Sequence, residues 1–91
     1  MNSPGWFVYI VRCQDDTLYT GITTDLFRRL DQHNSDRGGA RYTRPRRPVQ
    51  LVYAEPAASR SAAARREFQV KKLSVAEKRR LIHSTVACKF P

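Results

Sequence analysis

The chain has 91 residues, room for one domain and none for a separate cofactor or substrate domain, since domains run to about 100–200 residues. Seventeen Lys and Arg against eight Asp and Glu leave a net charge of +9, and 41% apolar residues exclude wholesale disorder. Arg12, Arg28 and Arg29 balance Asp15, Asp16 and Asp25 within residues 1–30, so the whole excess lies in residues 31–91, as expected of a face made for polyanions.

Trp6-Phe7-Val8-Tyr9-Ile10-Val11 is a continuous aromatic and β-branched run, which predicts a central strand covered on both faces. Gln14-Asp15-Asp16-Thr17 carries turn chemistry, and Leu18-Tyr19-Thr20-Gly21-Ile22 resumes a strand, so the pair reads as a hairpin. Thr23, Thr24 or Asp25 can cap a helix to about Asn34, with Leu26, Phe27 and Leu30 on its apolar side. Ser35–Pro48 reads as a loop rich in glycine, proline and arginine, mobile unless phosphate orders it.

Val49–Ala54 has strand composition, and Pro56 is expected to end it. Ser59 or Ser61 opens a helix to about Leu73, with Phe68 and Leu73 as core anchors. Ser74-Val75-Ala76-Glu77 is a capping-box pattern for a short last helix through Leu81 and Ile82. The expected architecture is α+β: a three-stranded antiparallel sheet flanked by helices, one domain over 1–91 with its core at about 6–82 and a tail at 83–91. Cys13 and Cys88 are expected to be free thiols, since no zinc spacing is present. With neither a leader pattern nor a long apolar run, the expectation is a cytoplasmic protein, monomeric and without a membrane partner.

Walker, GxSxG and HExxH motifs are absent. What remains is two tyrosines ten apart on the hairpin, Arg29 and His33 on one helix face, and Glu67 among basic residues. Taken singly these are strand aromatics, a solvated arginine, a helix-end histidine and an acid paired with Lys71 one turn on. Their order is more specific. Phe7-Val8-Tyr9 followed by Tyr19-Thr20-Gly21, then Leu26-x-x-Arg29-Leu30-x-x-His33, then Glu67, resembles the GIY-YIG nuclease superfamily over residues 6–82, and its small stand-alone bacterial members above all.

That resemblance implies a metal-dependent endonuclease hydrolysing phosphodiester bonds, acting on DNA ahead of RNA, with branched or single-stranded structures among its substrates and DNA repair as its setting. In the mechanism it implies, Tyr19 is the general base, with His33 as the alternative, and Tyr9 and His33 organise the water. Arg29 then binds the phosphate and Glu67 holds one Mg²⁺ or Mn²⁺. Such an ion takes one or two carboxylates and completes its shell with water and substrate oxygens. Arg37, Arg41, Tyr42, Arg44, Arg46, Arg47, Arg65, Arg66, Lys71 and the Lys78-Arg79-Arg80 run are the expected nucleic-acid contacts, Tyr42 by stacking on a base or by anchoring its loop. Phe7 for glycine, Thr20 for isoleucine, Ile22 for lysine and the lack of any asparagine after Glu67 depart from the family pattern. The competing reading is therefore a nucleic-acid-binding module on the same scaffold with little or no catalysis. Strand parity adds a geometric requirement: Tyr9 and Tyr19 share a face only across an odd loop or a bulge.

Overall fold

The computed structural model describes residues 5–35 and 40–84. Arg37, Cys88, the N-terminal four residues and the tail from residue 85 lie outside the described residues. Strands β1 (Trp6–Arg12), β2 (Leu18–Thr23) and β3 (Gln50–Ala57) form one antiparallel sheet in the order β2-β1-β3, so the most apolar strand is central. Helices α1 (Leu26–His33), α2 (Arg60–Lys71) and α3 (Val75–His83) complete the α+β fold.

The hairpin meets the parity requirement. Five residues, Cys13–Thr17, join the strands; Tyr9 faces Gly21 and Val11 faces Tyr19, so both tyrosines leave the same side of the sheet. The turn is held by Cys13 N–H to Thr17 O at 2.8 Å, by Asp16 in the left-handed region at φ 70°, and by Asp15 Oδ1 accepting from the Thr17 hydroxyl at 2.6 Å.

Each face of the sheet has its own core. Val8, Ile10 and Tyr53 pack under Ala63 and Val70 of α2, with Leu81 and Ile82 of α3 alongside. Tyr9, Val11, Cys13, Val49 and Leu51 fill the other side, with Leu26 and Leu30 of α1 against them. The helices begin where side chains cap them: Asp25 on Arg28 N–H, Ser59 on Ala62 N–H, and the reciprocal Ser74–Glu77 box.

Four expectations are corrected. Phe68 is 61% exposed rather than a core anchor, because α2 buries Ala63 and Val70, and a residue two positions from Val70 points about 200° round the helix. Phe27 is 60% exposed for the same reason, about 100° round from Leu26. Pro56 lies within β3, opposite Phe7, and does not end it; on an edge strand its missing N–H removes no ladder bond. Finally, residues 40–48 are ordered by the protein's own bonds. Thr43 is fully buried, Arg44–Arg46 form a 3-10 turn, Gln14 N–H donates to Arg46 O at 3.0 Å, and Asn34 brackets Val49 through Nδ2 to its carbonyl and Oδ1 from its N–H.

Candidate active site

The site grows from one cross-strand pair. Gly21 lies directly opposite Tyr9, and a Cβ there would sit 2.5 Å from Tyr9 Oη and 2.7 Å from Cζ. The missing side chain gives the Tyr9 ring its place across β2, and the phenol reaches α1. There Tyr9 Oη meets His33 Nε2 at 2.8 Å and receives Arg29 Nε–H at 3.4 Å. Arg29 and His33, four apart, occupy one face of α1, and Arg29 Nη1 is braced on Gln32 Oε1 at 2.9 Å.

Tyr19, on the same side of the sheet, places its ring edge-on to His33 with centroids 5.4 Å apart and stacks on Tyr42 at 5.9 Å. Its hydroxyl makes no hydrogen bond among the described residues. Lys71 of α2 brings Nζ to 6.0 Å from the Tyr19 ring and pairs with Glu67 Oε2 at 3.3 Å. Elements from both layers therefore meet at β2, an edge strand, and Tyr9, Tyr19, Arg29, His33 and Glu67 come together there.

His33 is completely buried, and its pKa falls to about 4, through desolvation first and the Arg29 charge second. It is neutral at physiological pH and both of its nitrogens are engaged, Nδ1 with Thr43 Oγ1 at 2.8 Å. Burial likewise pushes the Tyr9 phenol up, against the lowering effect of Arg29, with Tyr19 and Glu67 raising it further. Thr43 carries no signal in the sequence, where it is one polar residue in an arginine-rich loop.

The expected nucleic-acid contacts divide. Arg41 and Arg44 are exposed on the loop, Arg65 on α2, and Arg79 and Arg80 on α3. Arg46 is tied to Asp15 Oδ2 at 3.1 Å and to Tyr42 O at 2.8 Å, and Arg47 Nε to Arg44 O at 2.9 Å. Arg66 is committed to Glu55, at 2.8 and 3.2 Å, and Glu55 also receives the Tyr53 hydroxyl. That network pins α2 to β3, and the donor position holds Tyr53 as a phenol, its pKa raised to about 12 by burial first and Glu55 second. Tyr42 is held between Tyr19 and the Arg46 guanidinium, 4.0 Å from its ring centre.

For a metal the donor set is spare. Among the described residues no group of three or more His, Cys, Asp or Glu side chains could enclose an ion. Among the described residues Glu67 is the carboxylate at the site, and a single carboxylate suits a cation that completes its shell with water and phosphate oxygens.

A three-stranded antiparallel sheet with this tyrosine, arginine, histidine and glutamate arrangement defines a nuclease-type scaffold, and the family comparison agrees. Residues 5–80 match the GIY-YIG catalytic domain, and the chain belongs to that family, part of a nuclease superfamily. Within it, the chain is similar to proteins named UPF0213. A UPF0213 protein of Desulfotalea psychrophila is 57% identical over 92% of this chain and 76% of that protein, and one of Syntrophus aciditrophicus is 53% identical over 84% and 87%. The solution NMR structure of a UPF0213 protein from Bacillus halodurans aligns with a TM-score of 0.57 at 42% identity, covering 89% of this chain and 85% of that one. That of a protein from E. faecalis aligns with 0.61 at 35% identity, covering 99% and 96%. No helix among the described residues is long and apolar enough to cross a membrane.

Proposed function

We propose that this protein is an endonuclease of DNA that uses one Mg²⁺ or Mn²⁺ ion held by Glu67. The observation that carries this reading is the Tyr9 hydroxyl fixed between His33 Nε2 and Arg29 Nε, with Tyr19, Lys71 and Glu67 beside it. Hydrolysis of a phosphodiester needs an oriented water, positive charge at the non-bridging oxygens, and a route for the water's proton. Arg29 supplies charge beside Tyr9. His33, fully buried with both nitrogens occupied, is unable to reach substrate water, which favours Tyr19 as the proton acceptor and leaves His33 to orient Tyr9. A divalent ion on Glu67 would neutralise charge on the phosphate oxygens. Lys71 holds that carboxylate meanwhile, and Arg41, Arg44, Arg79 and Arg80 present exposed charge to the strand.

Nicking of supercoiled plasmid and of branched and single-stranded oligonucleotides with Mg²⁺ or Mn²⁺ tests the reading. Glu67→Ala should lower cleavage at least about 100-fold, the scale of a lost electrostatic contact at a reacting centre, and leave DNA affinity unchanged. Equal cleavage by variant and parent removes Glu67 from the chemistry. A parent that binds DNA and cuts under no metal is a binding module.

A further inference from the structure

The proton directions along the buried chain from Tyr9 to Ala40 follow from its shortest hydrogen bonds. A carbonyl only accepts, so in the 3.0 Å contact between Thr43 Oγ1 and Ala40 O the hydroxyl donates its single proton. Thr43 Oγ1 then has only lone pairs for its 2.8 Å contact with His33 Nδ1, so Nδ1 carries the ring proton. A neutral imidazole has one N–H, which leaves Nε2 bare to accept the Tyr9 hydroxyl at 2.8 Å. Ala40 N–H also approaches Nδ1, but at 3.5 Å, the limit of a hydrogen bond. Ala40 O is also shared by the Thr43 and Arg44 amides, at 3.1 and 3.2 Å, and the two contacts of the Thr43 hydroxyl are the shortest of the set, which decides the assignment.

We infer that Thr43 is a positioning residue that locks His33 in its Nδ1–H form, so that Tyr9 directs its proton inward and its oxygen lone pairs toward Arg29 and the substrate. Thr43 lies outside the motif residues quoted above, Phe7-Val8-Tyr9, Tyr19-Thr20-Gly21, Arg29, His33 and Glu67, and its complete burial removes water as a substitute partner. With the opposite tautomer, Nε2–H would donate to Tyr9 and turn the phenol proton outward, to where Arg29 donates and an attacking water must be received. Thr43 also belongs to the turn that carries Arg41 and Arg44, so the loop that presents charge to a strand is joined by two hydrogen bonds to the hydroxyl at the site.

The inference about the tautomer stands on geometry; its catalytic consequence rests on the nuclease reading, and the measurements separate the two. In ¹⁵N-labelled protein at neutral pH, His33 should show Nδ1 as the protonated nitrogen, its signals told from those of His83 with the His83→Gln variant. Thr43→Val should move the ring toward the Nε2–H form or a mixture, and Thr43→Ser should restore the parent pattern. In the cleavage assay Thr43→Val should lower kcat about tenfold with KM for DNA unchanged, and Thr43→Ser should recover most of it. An Nε2–H tautomer in the parent overturns the assignment. So does a Thr43→Val protein with an unaltered ring pattern, and if that variant fails to fold, the parent spectrum and Thr43→Ser still decide. A parent without cleavage in any metal removes the nuclease reading and leaves the tautomer to be judged by its spectrum.

Discussion

Gly21→Ala is the sharpest perturbation of this site, because the added methyl would occupy space the Tyr9 phenol already fills. Gly21 lies in the regular run of β2, so the position needs room and not an unusual backbone angle. The Cβ would lie 2.5 Å from Oη, 2.7 Å from Cζ and 3.0 Å from Cε2 of a ring that is 2% exposed and has no free direction in which to move. Overpacking of this kind costs about 1–3 kcal/mol. Pushing the hydroxyl off His33 leaves a buried Nε2 without its donor, another roughly 1–3 kcal/mol. The total, about 2–6 kcal/mol, is a large part of the roughly 5–15 kcal/mol that holds a small domain together. Urea unfolding followed by circular dichroism measures it, and a melt should fall by at least about 8 °C. The same substitution in a Tyr9→Phe background has no hydroxyl to clash and no hydrogen bond left to break, so its cost should shrink by about 1–3 kcal/mol. A Gly21→Ala cost below about 0.5 kcal/mol, or the same cost in both backgrounds, would refute the account.

Two further outcomes follow from buried groups on either side of the sheet. The Thr20 hydroxyl is buried with no hydrogen-bond partner among the described residues, so Thr20→Val, of the same shape, should stabilise the protein by about 1 kcal/mol and raise its melting temperature by about 4–8 °C; a fall would show that the hydroxyl has a partner in solution. His33 titrates lower in the folded protein, about 4, than at its ordinary 6.5, so the unfolded chain takes up the proton first. Stability should therefore be full above pH 6.5 and decline by roughly 3 kcal/mol as the pH falls to 4, a slope that His33→Gln should remove; equal slopes in both proteins would place the titration elsewhere.

Much of this fold can be read from single residues, and the failures share one cause. The strand runs, the Ser59 cap and the Ser74–Glu77 box are local signals, and the structure keeps them. The pleat sets only a condition, that Tyr9 and Tyr19 share a face across an odd loop or a bulge, and the five-residue Cys13–Thr17 loop meets it. Phe68 and Phe27 mislead because apolarity does not say which side of a helix is covered, and α2 is anchored by a small alanine and a valine. Arg66 looks like another surface cation until Glu55, eleven residues away, faces it. Thr43 and the ordered turn around it depend on a histidine ten residues earlier that is itself positioned by a strand, a dependence no local pattern records.

The proline inside β3 bears on what happens when many copies crowd together. β3 is an outer strand, and an outer strand offers its unused backbone groups to any extended chain that comes alongside. Here Pro56 withdraws one donor from that rim, and Val52, unmatched between the Ile10–Tyr53 and Val11–Leu51 pairs, puts a bulge in it. A protein of charge +9 is concentrated wherever a polyanion neutralises it, which is the condition under which strand addition between copies becomes a hazard. The interrupted rim works against a sheet continuing from one molecule into the next, so crowding along a polyanion favours separate folded copies over a growing aggregate.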